Sequence, residues 1–379
     1  MLFRSGTGPV KGFGVTLTIG VTVSMFTALI VTRLMFDWLL NKGHIKKLPM
    51  LHLVKGAKFD FMRWAMPAFI ASWMLILIGN GYGILGRGKE VLGVEFAGGS
   101  TMVLDVNQAH LVDEKDLRQS IAKTGVGDAL ITYQKDVSSS KRTLRLTIRS
   151  INNKPGEEPG KKVIDQIKTD FKDANFSVLS VNQVGPTVGA AIRDTAILAS
   201  LVAMFGILVY VAFRYEFSFA VCAVVAIIHD LLMTSGWYFL VGKELNATTV
   251  AAFLTIIGFS INDTIVIFDR IREDLKLGVR GTFREVINQA LNQTLSRTII
   301  TSGTVFLATM SLYIFGGGPI NDFAFTFLVG ILTGTYSSIY IASFGVLWWQ
   351  NTFHGGQRPN IGSGQLTVQG AAAAAATKP

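Results

Sequence analysis

Five polar side chains within or beside long apolar stretches are the residues whose chemistry most needs an explanation. Asn262 and Asp263 lie in one apolar stretch, His229 and Asp230 lie in another, and Arg297 opens a third. Charged groups are costly in a membrane interior, and where they occur they are typical of ion pathways and proton relays. We therefore expect these residues to form or support a proton pathway.

Asp263 and Arg297 are expected to lie at similar depths near the cytoplasmic surface of the membrane and to face the interior of the helix bundle. Whether an aspartate in apolar surroundings keeps a proton depends on how close a positive charge lies. A carboxylate and a guanidinium whose separation changes with conformation would therefore bind and release protons as the protein moves. Thr301 and Thr304 follow Arg297 at i+4 and i+7, so the three residues share one helix face and the threonines are predicted to support the pair.

Each of these residues also has a purely structural interpretation. Arg297 could extend its side chain to the lipid headgroups and only help to fix topology. His229 and Asp230 could be a satisfied pair between packed helices, and Asp263 could make an interhelical hydrogen bond with no part in transport. The sequence leaves these alternatives open.

Seven apolar stretches are long enough to cross a bilayer, which needs roughly 20 residues for a core of about 30 Å. Hydrophobic residues make up 50% of the 379 residues and charged residues only 16%, against about 25% in ordinary soluble domains. Each stretch must be helical, because lipid offers the backbone no hydrogen-bond partners. The predicted spans are Phe13–Met35, Ala65–Leu85, Thr195–Phe213, Phe217–Leu240, Thr248–Phe268, Thr298–Phe315 and Phe323–Trp349.

The segment 87–193, between the second and third spans, is predicted to be a small periplasmic domain. Its strand and helix patterns follow the order β-α-β-β-α-β, which is typical of a ferredoxin-like fold. Alternation of apolar and polar residues around Leu146 predicts a half-buried strand. Asp113 is predicted to cap a helix that buries Leu117 and Ile121.

The remaining segments complete the predicted organisation of the chain. A polar, glycine-rich tail follows His354 and cannot bury a core, so it is expected to be disordered. The predicted parts are a first helix (1–36), a basic cytoplasmic linker (37–64), a second helix (65–86), the periplasmic domain (87–193), a bundle of five membrane helices (194–350) and the tail (351–379).

The sequence shows no motif for several classes of function. The net charge of +10 lies largely beside apolar spans and fits membrane topology better than nucleic-acid binding. The one cysteine, Cys222, can form no intrachain disulfide and no CxxC site. Gly81–Gly86 matches GxGxxG but follows a membrane helix instead of a strand, so no dinucleotide site is expected there. We expect no cofactor, no metal, no catalytic residue and no nucleotide site. We expect membrane lipid to surround the spans.

Four long segments resemble the SecD/SecF family of protein-export membrane proteins, over Pro67 to about Trp349. Gly258–Glu273 resembles the fourth SecF helix, and Asn292–Ser302 resembles the start of the fifth. Val181–Gly189 resembles the return from the external domain, and Gly334–Ser343 resembles the last helix. Gly6–Phe13 and Ser24–Arg33 resemble the last SecD helix, which suggests the C-terminal part of a fused SecD–SecF protein. The family's motif Asp-Phe-Thr-Gly-Gly-Thr is replaced here by Glu-Phe-Ala-Gly-Gly-Ser, at Glu95–Ser100.

The resemblance implies a six-helix SecF bundle of the RND type and an accessory, non-enzymatic role in Sec protein export. It implies that proton flow drives the late stage of export, and Asp263 and Arg297 match the family's proton-pathway residues. The implied partners are a SecD half, the SecYEG channel, SecA indirectly, a YajC-like subunit and the unfolded preprotein. Two alternatives remain open: a proton-driven RND exporter of small molecules or lipids, and a passive scaffold for translocase subunits.

We predict that the N-terminus lies outside the inner membrane and the C-terminus in the cytoplasm. The connections after the first and fifth spans are rich in Lys and Arg, whereas the short loops 241–247 and 316–322 carry one Lys and no Arg between them. Cytoplasmic loops carry the excess of positive charge. Reporter fusions after Lys154 and after Gly355 should report periplasm and cytoplasm, and the same side for both would refute the arrangement.

Overall fold

The computed structural model describes residues 9–43, 58–107, 110–126, 129–135, 142–149, 159–316 and 319–353. Half of the predicted basic linker (44–57) and nearly all of the predicted disordered tail lie outside these ranges. Seven helices in the described ranges are long and apolar enough to cross a membrane, which confirms the predicted number. They are Gly14–Asn41, Phe61–Arg87, Pro186–Phe213, Phe217–Leu240, Ala247–Lys276, Phe283–Phe315 and Ile320–Phe353.

The α-helices are numbered in chain order, and three of the spans contain a π-helical turn. The turns are Thr27–Val31 in the first span, Tyr82–Arg87 in the second and Ser338–Ala342 in the seventh. The helices are α1 (Pro9–Phe26), α2 (Thr32–Asn41), α3 (Phe61–Gly81), α4 (Val94–Ala97), α5 (Glu114–Ala122), α6 (Pro159–Asp170), α7 (Pro186–Arg214), α8 (Phe217–Leu240), α9 (Ala247–Lys276), α10 (Phe283–Phe315), α11 (Pro319–Ser337) and α12 (Ser343–Phe353).

The sheet between the second and third spans has the predicted ferredoxin-like topology. Its strands are β1 (Gly99–Asp105), β2 (Ala129–Lys135), β3 (Arg142–Arg149) and β4 (Ser177–Val184). They lie in the order β2-β3-β1-β4, and each adjacent pair is antiparallel. Helices α5 and α6 contact each other and share one buried core with the sheet. Asp113 caps α5, and Leu117 and Ile121 are buried as predicted.

A carboxylate holds the two helices of this domain together. Asp170, at the end of α6, accepts hydrogen bonds from Ser120 Oγ (2.8 Å) and Lys123 Nζ (3.0 Å) of the α5 region. The hydrogen bond from Lys123, with that from Ser120, holds the pKa of Asp170 below its usual range. The contact fixes the helix pair on one face of the sheet.

Glycines let α9 and α11 approach each other closely in the membrane bundle. A Cβ atom at Gly330 would overlap the side chain of Ile256, and one at Gly334 would lie 3.2 Å from Ser260 Cβ. The pattern of small residues at Gly330 and Gly334 is therefore a packing face, as its spacing predicts. The close approach brings the polar side chains of α9 within reach of the short hydroxyl side chains that end α11.

The first span packs very little against the rest of the chain. None of its apolar window is buried, whereas 61% of the window of α8 is. The two spans therefore have different surroundings: α8 lies in the protein interior, and the first span presents its apolar side chains outward.

The sheet domain docks on the loop between α8 and α9. Leu245 of that loop donates its N–H to Val91 O (2.8 Å) and accepts from Gly93 N (2.7 Å). Asp322, in the first turn of α11, pairs with Arg145 of β3 (3.6 Å) and also with Lys243. Main-chain bonds and an ionic cluster thus connect the domain with three membrane helices.

We predict that Gly330→Ala destabilises the bundle, because the added methyl group must displace Ile256. Overpacking of this kind costs about 1–3 kcal/mol. The matched control is Gly258→Ala on α9, where a Cβ atom meets nothing within 4 Å. Thermal unfolding of the protein in detergent should show a lower midpoint for the first variant only, and equal midpoints would contradict the packing argument.

Candidate functional site

Asp263 is a buried carboxylate at the meeting point of three helical elements. It lies on α9 with 6% of its surface exposed. Its Oδ1 accepts a hydrogen bond from Thr298 Oγ1 of α10 (2.8 Å), and its Oδ2 accepts one from Ser338 Oγ of the seventh span (3.1 Å). Two neutral hydroxyl groups therefore hold the carboxylate, and no cation of the described residues contacts it.

Arg297 does not face the interior of the bundle, and that expectation is wrong for this chain. Its side chain is exposed, as are those of Thr301 and Thr304 on the same face of α10. Successive residues of a helix are rotated by about 100°, so Thr298 takes the interior position beside Asp263. Arg297 acts on Asp263 only electrostatically, without a hydrogen bond.

The predicted supporting residues divide into two groups. Asn262 is exposed, and the hydroxyls of Thr301 and Thr304 bond to main-chain carbonyls of their own helix. These side chains do not contact Asp263. His229 and Asp230, by contrast, are fully buried on α8.

Asp230 has its own set of hydrogen-bond donors. Its Oδ2 accepts from Ser260 Oγ of α9 (2.6 Å) and from Ser337 Oγ of α11 (2.7 Å). Its Oδ1 lies 3.2 Å from Nδ1 of His229. Asp230 is therefore a satisfied carboxylate between three helices, which agrees with the structural interpretation of this residue.

The two buried carboxylates share both of their neighbouring elements. Ser260 and Asp263 lie three residues apart on α9 and so point to the same side of that helix. Ser337 ends α11 and Ser338 begins the π-helical turn, and each donates to a different carboxylate. Single-turn π segments occur frequently at functional sites. A shift of this turn would alter the hydrogen bonds of both carboxylates together.

Sequence reasoning missed the hydroxyl donors Thr298, Ser337, Ser338 and Ser260. Three of the family-like segments contain all four of them, but a serine or threonine in a membrane helix usually bonds to its own backbone, and sequence alone does not distinguish the exceptions. In the sequence, such a hydroxyl donor is indicated only by an aspartate in another apolar stretch that needs a partner.

The external segment contacts the start of the helix that carries Asp263. Ala247, the first residue of α9, donates its N–H to Glu95 Oε2 of α4 (2.7 Å). A carboxylate near a helix N-terminus is favoured by the helix dipole. The departure from aspartate to Glu95 therefore keeps the charge that contacts α9, and this helix connects the external domain with the buried site.

A family model described as "Protein export membrane protein SecD/SecF, C-terminal" matches residues 163–352. The chain is similar to protein translocase subunit SecF of Calditerrivibrio nitroreducens, with 41% identity over 77% of this chain and 95% of the relative. It is also similar to protein translocase subunit SecDF of Thermus thermophilus, with 36% identity over 92% of this chain and 46% of the relative.

The fold is similar to that of solved SecDF structures. The crystal structure of SecDF from Thermus thermophilus, a translocon-associated membrane protein, matches with a TM-score of 0.80 and 35% identity over 92% of this chain and 46% of that chain. SecDF in a super-membrane-facing form matches over the same shares with a TM-score of 0.68. The chain thus spans about half the length of SecDF.

We predict that Thr298→Val destabilises the protein, because Asp263 loses a buried donor while the side-chain volume is kept. A buried polar group left without its partner costs about 1–3 kcal/mol. The matched control is Thr301→Val, whose exposed hydroxyl bonds only to its own helix. Chemical unfolding in detergent should separate the two variants, and an equal effect would argue against the Thr298–Asp263 bond.

Proposed function

Because the chain belongs to the SecD/SecF family of protein-export membrane proteins, we propose that it is an accessory part of the Sec translocase. In this proposal it uses the proton motive force to help complete the export of unfolded preproteins across the inner membrane. The burial of Asp263 among hydroxyl groups of two other helices carries the proposal.

Protonation changes what the carboxyl group of Asp263 can do. An ionised carboxylate only accepts hydrogen bonds, whereas a protonated one also donates. Thr298 and Ser338 both donate to Asp263, so the new O–H of a protonated Asp263 has no acceptor in this pair unless one of the two hydroxyls reorients. The proton therefore alters the contact between α9, α10 and the seventh span.

The energy of one proton is sufficient for such a rearrangement. A charge that crosses the membrane potential yields about 2.3 kcal/mol per 100 mV. Conformations that a ligand can interconvert typically differ by only a few kcal/mol. Proton flow through Asp263 can thus bias the protein between two arrangements, and the energy comes from the ion gradient without a nucleotide site.

Helix α9 is the proposed connection between the proton site and the external domain. Its N-terminus bonds to Glu95, and its preceding loop bonds to Val91 and Gly93. A tilt or shift of α9 on protonation of Asp263 would therefore move the base of the sheet domain.

The exposed face of α10 is the proposed contact with a SecD half. Arg297, Thr301 and Thr304 lie on this face, which no helix of the described chain covers. A guanidinium facing lipid at this depth would be costly, so we propose that the SecD half covers it, and that Asn262, also exposed, contributes there. His229 and Asp230 are proposed as supporting residues.

Further parts of the proposal concern partners and topology. The family implies contact with SecYEG, indirect cooperation with SecA, a YajC-like subunit and unfolded preprotein. The N-terminus of the chain is placed outside the membrane and the C-terminus in the cytoplasm.

The other functions fit less well. An RND-type exporter of small molecules or lipids usually needs two large external domains with a substrate cleft, whereas the described external domain is one four-stranded sheet with two helices. A passive scaffold has no need of a carboxylate buried in the membrane, although the satisfied hydrogen bonds of Asp263 are compatible with one. The experiment below separates that function from proton coupling.

We predict that Asp263→Asn abolishes gradient-dependent export while leaving the protein folded. Asparagine keeps the size and most hydrogen bonds of aspartate but cannot take up and release a proton. The variant should reach normal levels in the membrane and assemble with the channel. In membrane vesicles, ATP-driven early export should persist and the late stage that depends on the proton gradient should fail.

Asp269→Asn is the matched control, because Asp269 lies on the same helix but is exposed at its cytoplasmic end. It removes the same charge and should leave both stages of export unchanged. A low level of the Asp263→Asn protein would indicate that Asp263 is mainly a structural partner. Normal levels together with normal gradient-dependent export would refute the proposed function.

A further inference from the structure

The imidazole of His229 has a buried nitrogen without a hydrogen-bond partner. The ring lies between Trp73 of α3, edge-on with 5.8 Å between ring centroids, and Tyr336 of α11, stacked at 6.2 Å. Nδ1 faces Asp230. Nε2 is buried and has no partner among the residues that the structure describes. Buried polar atoms of side chains rarely lack a partner, so such an atom calls for an explanation.

The neighbouring indole has the same property. Nε1 of Trp73 is also buried and unpartnered within the described part of the chain. An indole nitrogen can only donate, whereas Nε2 of histidine accepts when bare and donates when protonated. Each of the two contacting rings therefore has a buried nitrogen without a partner in the described residues, and on His229 this atom can gain or lose a proton.

The charge balance of the pair favours a proton on Nε2. Asp230 accepts hydrogen bonds from Ser260 and Ser337 and contacts His229 Nδ1, an arrangement that suits an ionised carboxylate. With a neutral imidazole, the fully buried pair carries one net negative charge. With a proton on Nε2, the pair is neutral overall. An unpaired buried charge is costly, so the geometry provides a specific atom on which a proton restores neutrality.

Few groups in the described chain face this pair. Trp73 faces it from α3, Ser260 from α9, and Tyr336 and Ser337 from α11. The hydroxyl of Tyr336 donates to the backbone oxygen of Ala68 (2.6 Å), so it does not neutralise Asp230. Asp263 follows Ser260 by three residues on α9, and Arg297 of α10 acts electrostatically on Asp263.

We propose that His229 and Asp230 form a second proton-binding centre, with the proton on Nε2 of His229, which is coupled to Asp263 through Ser337 and Ser338. Uptake makes one N–H bond at Nε2, with the proton taken from hydronium of the aqueous phase, which becomes water, and converts the Asp230 contact into an ion pair. Release reverses both changes. The inference rests on the proposed function for its purpose, since it adds a second protonation step to the same pathway.

The coupling follows from the serine pair. Ser337 holds Asp230 and Ser338 holds Asp263, and the two residues are joined by one peptide bond at the start of the π-helical turn. A stronger Asp230–His229 ion pair changes the hydrogen bond that Ser337 donates to Asp230. Ser338 cannot stay unaffected, so the protonation of one centre alters the hydrogen bond of the other.

The test observes the ring nitrogens of His229 directly, in the full chain in lipid bilayers labelled with ¹⁵N-histidine. The chain has five histidines, and the signals of His229 are those lost in His229→Asn, which keeps an amide donor towards Asp230. We expect Nε2 to titrate between bare and protonated forms as the pH is changed. A single form over the whole range in which the bilayers remain intact would overturn the proposal.

Coupling is tested by the effect of a second site on this titration. Asp263→Asn should shift the midpoint for His229 by about 1 pH unit, the scale on which interacting sites titrate together. Asp269→Asn, at the exposed end of the same helix, should leave it in place. Ser338→Ala keeps both carboxylates and removes the connecting hydroxyl, and it should also shift the midpoint.

The outcomes separate this inference from the proposed function. An unshifted midpoint in both Asp263→Asn and Ser338→Ala overturns the coupling, whatever the export assay shows. A shifted midpoint together with normal gradient-dependent export in Asp263→Asn supports the second centre and refutes the proposed function. Because the readout is a ring nitrogen and not export, each failure can be recognised by itself.

Discussion

A carboxylate in a membrane interior must be supplied with hydrogen-bond donors, and the arrangement of this bundle follows from that requirement. Lipid supplies none, so each donor has to come from a neighbouring helix. Asp230 and Asp263 receive hydroxyl groups from three helical elements between them. Hydroxyl groups donate to a carboxylate without cancelling its charge. The surroundings can therefore still determine whether the carboxylate is protonated. A contacting arginine or lysine would instead have fixed one state.

Short donors work only if the helices are close together. Serine and threonine hydroxyls reach little beyond their own helix, so α9 and α11 must approach until glycine is required at Gly330. The seventh span then has to present Ser337 and Ser338 to different carboxylates, and the π-helical turn that begins at Ser338 follows directly on α11. Close packing and irregular helix geometry thus serve the same two acids.

The membrane site reaches the outside through one continuous helix. Helix α9 carries Ser260 and Asp263 in the interior and bonds to Glu95 at its external end. The ion cluster of Arg145, Lys243 and Asp322 adds a second connection from the sheet to the start of α11. Helices α9 and α11, which supply Ser260 and Ser337 to Asp230, are therefore both tied to the external domain. In the proposed function, this connection is what allows protonation to move that domain.

The sequence by itself determined the number of spans and the ferredoxin-like domain and singled out Asp263 as a candidate site residue, because hydropathy, alternation and an isolated charge are local properties. It also indicated the close packing at Gly330. Only the tertiary structure decided that Thr298 contacts Asp263 and that Arg297 is exposed, since one residue along a helix changes the direction of a side chain by about 100°. The serines that supply Asp230 and Asp263 lie far away in sequence. Their role depends on which helices are neighbours, and that is set by packing of the whole bundle.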